Sequence, residues 1–164
     1  MGIMSSKSII KEAVCVIDTN YKNDSITGVV VFTQKDDSVH IKVDVKGLLK
    51  NHLHGFHIHE TGDLREGCTS CCAHYNPNND EHGDLYSGHA GDLGNIKTDK
   101  NGHCSISLKT NKFIVDEIVG RSIIIHEDED DLGLGNFEDS KTTGHSGKRI
   151  ACSVIGISKN GICK

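Results

Sequence analysis

Residues 39–45 alternate without a break: Val39, Ile41, Val43 and Val45 face one way, His40, Lys42 and Asp44 the other. A period of two marks a half-buried antiparallel strand. Apolar, β-branched runs at 13–17, 28–33, 53–59, 94–98, 104–108, 119–126 and 150–157 predict further strands. Turn signals punctuate them, among them Asn23-Asp24, Lys35-Asp36-Asp37 and Asp99-Lys100-Asn101-Gly102. Two long polar stretches, 60–95 and 127–149, have no period and read as loops. Loops of that length in a compact domain usually carry function.

Composition sharpens the fold class. Ile and Val number 29 against nine Leu and four Ala, and there are 18 Gly. β-branched residues favour pleated strands, and glycines favour turns. The expected architecture is an all-β, immunoglobulin-like Greek-key sandwich or barrel of about eight antiparallel strands with two long functional loops. One domain at 13–158 is expected, with an N-terminal extension at 1–12 and a tail at 159–164. No internal repeat or linker interrupts it.

Charge and termini narrow the partners. The net charge is −5 and no basic stripe exists, so no nucleic-acid partner is expected. No apolar run is long enough for a membrane span, and the start lacks a secretory pattern. A cytoplasmic location is expected, that of the host if the source is a virus. The opening Met-Gly-Ile-Met-Ser-Ser fits the loose myristoylation pattern at Gly2, which is short and commonly matched by chance.

Seven cysteines is an odd number. The run Cys68-Thr-Ser-Cys71-Cys72 invites a zinc-knuckle or redox reading, but a knuckle needs a second such pair and none exists. Cys15 reads as a small buried hydrophobe, and Cys104 and Cys163 as tolerated thiols.

The chemistry lies in histidines. In His57-Ile58-His59, a strand places both imidazoles on one face with Phe56 and Ile58 on the other. Two imidazoles on one side make half of a tetragonal site, which suits copper. His74, His82, His89 and Asp92 supply three imidazoles and a carboxylate, which suit tetrahedral zinc, and Gly83, Gly88 and Gly91 permit the turns that would gather them. His126 ends a strand and projects one more imidazole. Each clue alone has a bland alternative in solvated surface histidines.

These clues occur in one order with specific neighbours: LHGFHIHE (53–60), GCTS (67–70), AHYNP (73–77), GHAGDLGN (88–95), IIIHE (123–127), DDLG (130–133) and GKRIACSVIGIS (147–158). In these segments, from about Ala13 to Ser158, the chain resembles the copper–zinc superoxide dismutase family. The resemblance implies one copper and one zinc per chain, superoxide as substrate, and dismutation to oxygen and hydrogen peroxide. It implies copper at His57, His59, His74 and His126, and zinc at His74, His82, His89 and Asp92, with His74 bridging. Asp130 matches a carboxylate joining a histidine of each metal, here His57 and His82. His54 matches a structural histidine, and Cys68 and Cys152 match a disulfide. Arg149 matches an arginine beside the copper. Glu138, Asp139, Lys141 and Thr143 match the loop and channel mouth that guide the anion. At ~4 Å a guanidinium attracts superoxide by about 1 kcal/mol in water and up to about 4 at an effective dielectric of 20. His40, His52, His103 and His145 match no family role and read as surface residues.

The resemblance also implies a homodimer, with Gly62, Val119, Gly120, Val154, Gly156 and Ile157 matching the contact, and copper delivery by a chaperone. Departures stand beside these matches. Thr61 replaces a bulky apolar dimer residue, Leu134 replaces a common lysine, and Cys71 and Cys72 replace small residues, which leaves Cys68–Cys71 open as a rival bridge. The stretch from His82 to His89 is shorter than in familiar members. Two other classes compete with the enzyme: a copper chaperone, for which the C-x-C tail is missing, and an inactive decoy, which typically lacks a ligand or the arginine.

Overall fold

The computed structural model describes residues 9–22 and 24–162. Gly2, Asn23 and Cys163, and the expectations attached to them, lie outside the described residues.

Ten strands form among the described residues: β1 Glu12–Tyr21, β2 Asp24–Lys35, β3 Ser38–Lys46, β4 Leu53–His59, β5 Arg65–Cys68, β6 Asp92–Lys97, β7 Cys104–Thr110, β8 Ser122–His126, β9 Arg149–Val154 and β10 Gly156–Ile157. Nine of them make two antiparallel sheets, ordered β10-β1-β2-β3-β7 and β6-β4-β8-β9. β5 stands outside both sheets, inside the first long loop. The chain crosses between sheets after β3 and returns after β6, the Greek-key pattern expected of the sequence.

The period of two positions the core. Val39, Ile41, Val43 and Val45 are all buried from β3, as their alternation predicts. They meet Phe56 and Ile58 of β4 and Ile123 and Ile125 of β8 across the sandwich. In the register of β4 against β8, Phe56 opposes Ile125 and Ile58 opposes Ile123. The intervening residues therefore point outward: His57 opposes Ile124, and His59 opposes Ser122. An outward face would ordinarily be wet, yet His57 and His59 are buried. The two long loops cover it, and the site lies between sheet and loops.

Some boundaries differ from the sequence-based expectation. The strand expected from 119 begins at Ser122, because Val115–Ile118 forms a short helix, α1. Val115 and Ile118, three apart, are both buried, a helical spacing rather than an alternating one. Glu117 closes the helix start by accepting the Ile114 N–H at 2.9 Å. The second loop carries a short helix, α2 Ser140–Thr143, and a third, α3 Lys159–Ile162, follows β10. Glu12 holds this end of the chain through Ser158 Oγ at 2.6 Å and Asn160 Nδ2 at 3.1 Å. Among the described residues no helix is long and apolar enough to cross a membrane.

Candidate metal centre

The outward face of β4 supplies His57 and His59, and the end of β8 supplies His126. The first loop folds back so that His74 pairs with His59 in an isolated antiparallel bridge. Four imidazoles thus converge: His57, His59, His74 and His126 present one nitrogen each within 4.8 Å of one another, all buried. A second buried cluster, His74, His82, His89 and Asp92, meets the same limit. His74 belongs to both, through different nitrogens of one ring.

Six buried side-chain N or O atoms among the described residues lack a hydrogen-bond partner: His57 Nδ1, His59 Nε2, His74 Nε2, His82 Nδ1, His126 Nε2 and His54 Nε2. An orphaned buried nitrogen is costly. Four of the six are the converging atoms of the first cluster, a donor set that a cation satisfies. Each of those rings has its other nitrogen tied down. His57 Nε2 lies 2.7 Å from Asp130 Oδ2, and His59 Nδ1 donates to the Cys72 carbonyl at 2.9 Å. His126 Nδ1 donates to the Gly147 carbonyl at 3.2 Å, and His74 Nδ1 lies 2.9 Å from Asp92 Oδ1. Such partners set tautomer and ring orientation for a metal ligand.

The second cluster has the dimensions of a tetrahedral site. From Asp92 Oδ1, His74, His82 and His89 Nδ1 lie at 2.9, 3.1 and 3.2 Å, and His74 and His89 Nδ1 are 3.4 Å apart. Tetrahedral zinc with bonds of ~2.0–2.1 Å requires ligand atoms about 3.3 Å apart. Asp92 Oδ2 faces away and accepts the amides of Gly83 at 3.0 Å and His89 at 2.9 Å, which fixes the carboxylate. The residues present fit a copper ion and a zinc ion.

Protonation agrees with ligation. Burial holds the imidazoles of His57 and His74 below their ordinary range, His59 down to about 2 and His126 to about 3. Their nitrogens are therefore neutral and free to donate a lone pair. Burial would raise the Asp92 carboxyl, but the close imidazoles of His74, His82 and His89 overcome it and hold it well below the carboxylate range. Burial would lower His82, but Asp130 and Asp92, one at each ring nitrogen, push it up to about 9. A dication held by His82 and Asp92 would take over the role of that proton.

Asp130 spans both clusters, Oδ2 on His57 and Oδ1 on His82 Nε2 at 2.8 Å. Two residues that sequence reasoning missed fix it. Asn95 clamps its backbone reciprocally, Nδ2 to the Asp130 carbonyl and Oδ1 from the Asp130 amide, both at 2.8 Å. Gly144 lies at φ +67, and a Cβ there would collide with Asp130 Oδ1 and His82 Nε2. In the sequence Gly144 shows only as one of several loop glycines, and Asn95 only as part of a matched segment. His54 Nδ1 donates to the His126 carbonyl at 2.7 Å, behind a converging histidine rather than among them.

The disulfide joins Cys68 to Cys152, with Cα atoms 5.6 Å apart, and leaves Cys71 and Cys72 as thiols. Arg149, three residues before Cys152, donates from Nη1 to the Cys68 carbonyl at 2.8 Å and from Nη2 to the Cys72 carbonyl at 2.6 Å. A cavity of about 370 Å³ opens on the first cluster, lined by His59, His74, His126, Asp139, Thr143 and Arg149 among others. Lys141 and Glu138 are exposed outside it, Lys141 paired with Glu81 at 3.7 Å. Of the histidines read as surface residues, His145 ties Asp139 at 2.7 Å and His103 ties Asp44 at 2.8 Å.

An antiparallel sandwich with two buried donor clusters fused through one imidazole defines a dinuclear metalloprotein. Residues 26–155 match the family described as Copper/zinc superoxide dismutase (SODC), and the chain belongs to that family. Superoxide dismutase [Cu-Zn] of Paramecium bursaria Chlorella virus 1 is 48% identical over 143 residues, covering 84% of this chain and 76% of that one. Extracellular superoxide dismutase [Cu-Zn] of Drosophila melanogaster is 48% identical over 142 residues, covering 82% and 78%. Superoxide dismutase [Cu-Zn] 5 of Dictyostelium discoideum is 43% identical over 153 residues, covering 90% and 98%. The crystal structure of the clock protein EA4 superposes with a TM-score of 0.86 at 36% identity, covering 95% of this chain and all of that one.

Proposed function

We propose that this protein is a superoxide dismutase in which His57, His59, His74 and His126 hold copper while His74, His82, His89 and Asp92 hold zinc. The observation that carries the assignment is His74, whose Nε2 is an orphan in the four-imidazole cluster and whose Nδ1 faces the oxygen-bearing one. Four nitrogens suit copper, and three nitrogens with one oxygen suit zinc.

A copper ion held by His57, His59, His74 and His126 would supply the one-electron chemistry by which one superoxide is oxidised to oxygen and a second, with two protons, is reduced to hydrogen peroxide. The chain supplies the rest. Arg149, always cationic and held by two carbonyls, attracts and orients the anion at the cavity. His74 Nε2 can hold a proton and pass it to the reduced oxygen species. Asp130 keeps the His57 and His82 rings in register. Glu138, Asp139, Lys141 and Thr143 shape the field and the opening, Asp139 and Thr143 from the cavity wall itself. The functional unit is 13–158.

We assign the working form as a homodimer. Gly62, Gly120 and Val154, from three separate segments, lie together: a Cβ on Gly62 would meet Gly120 and Val154. Val16, Val154 and Ile157 are exposed apolar residues on or beside those segments. Light scattering at micromolar concentration is expected to give twice the chain mass, and a monomer would remove this assignment. The cytoplasm is the proposed location, with copper delivered by a chaperone and no nucleic-acid or membrane partner.

Metal analysis paired with a superoxide assay tests the main proposal. One copper and one zinc per chain, with activity lost on copper removal and restored by copper, is expected. Activity that persists without copper would refute it.

A further inference from the structure

Lys112 belongs to neither cluster, yet its ammonium meets four main-chain carbonyls: Asp84 at 2.8 Å, Ser87 at 3.2 Å, His89 at 2.9 Å and Asp92 at 2.7 Å. Two of these carbonyls belong to proposed zinc ligands. An ammonium has three N–H donors, so four acceptors share them, with Ser87 the longest contact. The side chain is partly buried, and burial lowers its pKa against the opposing pull of Asp92, Asp84 and Asp80.

The carbonyls need such a partner. Residues 83–91 form no strand, and among the described residues no main-chain amide reaches the Asp84 or Ser87 carbonyl, while that of His89 also accepts the Asp92 amide at 3.1 Å. Carbonyls gathered at one point repel each other and, when buried, need a donor. Within the segment, amides are already engaged: Tyr86 and Ser87 donate to Asp84 Oδ1, and Gly83 and His89 to Asp92 Oδ2. A charge-assisted hydrogen bond is about twice as strong as a neutral one. The cation comes from outside the loop, two residues beyond β7, at the edge of the opposite sheet.

We propose that Lys112 is a positioning residue for the zinc half of the centre. It clasps the carbonyls of the 84–92 turn, presents His89 and Asp92 in place before the metal arrives, and slows zinc release. A preformed site loses less ordering entropy on binding. The first loop is then pinned at both ends: by Arg149 and the disulfide near Cys68, and by Lys112 near Asp92. The inference rests on the assignment of zinc to His74, His82, His89 and Asp92.

Two substitutions test it. Lys112→Met keeps the stem and removes every donor, while Lys112→Gln keeps an amide NH₂ and loses the charge. Zinc release from the copper–zinc protein into a chromogenic chelator is expected at least tenfold faster for Lys112→Met, with Lys112→Gln intermediate and copper release unchanged. In metal-free protein, amide exchange should quicken at 83–92 and stay at the wild-type rate at 60–72. Should Lys112→Met fail to fold, Lys112→Gln decides the same comparison. Wild-type zinc release and wild-type exchange in the folded variants would overturn the clasp. If Asp92→Ala retained its zinc, the zinc assignment would fall instead, and the proposal with it.

Discussion

Arg149 Nη2 donates to the Cys72 carbonyl at 2.6 Å, and His59 Nδ1 reaches the same oxygen at 2.9 Å. One peptide group therefore sets the spacing between the cation proposed to meet superoxide and a histidine of the proposed copper set. Cys72 holds that carbonyl in place with a backbone φ of +62, a conformation that L side chains rarely adopt.

If anion capture limits the rate, steering by Arg149 raises the on-rate by roughly 10- to 1,000-fold and weakens as salt screens it. Wild-type activity should fall with ionic strength. Arg149→Glu should be at least tenfold slower, with a flattened or reversed salt slope. Arg149→Lys should keep part of the activity, because the charge remains while the planar fork that holds two carbonyls is lost. All should bind copper alike. An Arg149→Glu variant that matches the wild-type rate and salt slope would end the guidance role.

Asp130 touches a histidine of each cluster, whereas His126 serves one. Asp130→Ala should weaken both metals, by roughly 10- to 100-fold as outer partners of ligands generally do. His126→Ala should lower copper occupancy and leave zinc bound. Competition titrations with a chelator read both, and loss of zinc before copper in His126→Ala would reverse the proposed assignment.

The bridge from Cys68 to Cys152 closes a loop of 84 residues' separation. In the chain-entropy model such closure stabilises by about 4.5 kcal/mol. Cys152→Ser should lower the melting temperature and speed proteolysis of the 60–72 segment, while Cys71→Ser should do neither. Equal effects of the two substitutions would mean that the thiol at Cys71 contributes to the loop's anchoring.

Metal-free protein should show a stability maximum near pH 6.5. His82, raised to about 9, contributes stability that is fully present below its unfolded value near 6.5 and is lost as pH rises toward 9. His59 and His126, lowered to about 2 and about 3, contribute stability present above 6.5 and lost as pH falls. The melting temperature should therefore decline between pH 6.5 and 8, below the range where the raised thiols of Cys15 and Cys104 add to the loss. A zinc ion held by His82 would take the place of its proton, so the zinc-loaded protein should be flat in that window. A metal-free melting temperature that rises from pH 6.5 to 8 would contradict the assigned His82 environment.

The sequence by itself determined what repeats locally. Side chains alternate across a strand, so Val39 to Val45 declared a buried face, and His57 and His59 declared a shared one. The order of motifs identified the family and singled out the histidines and aspartate that the structure brings together. Only the tertiary structure decided what depends on distant segments meeting. Residues alone left Cys68 free to pair with Cys71 or Cys152, and the approach of β9 to the first loop selects Cys152. The 119–121 segment read as strand because apolar content is ambiguous over short runs, and the packing of Val115 and Ile118 made the preceding turn helical. Asn95, Gly144 and Lys112 carry no ligand chemistry and no periodic signal. Their roles arise from one backbone passing close to another, at Asp130, at His82 and at the carbonyls of the 84–92 turn, and such approaches exist only once the two sheets and both loops are packed.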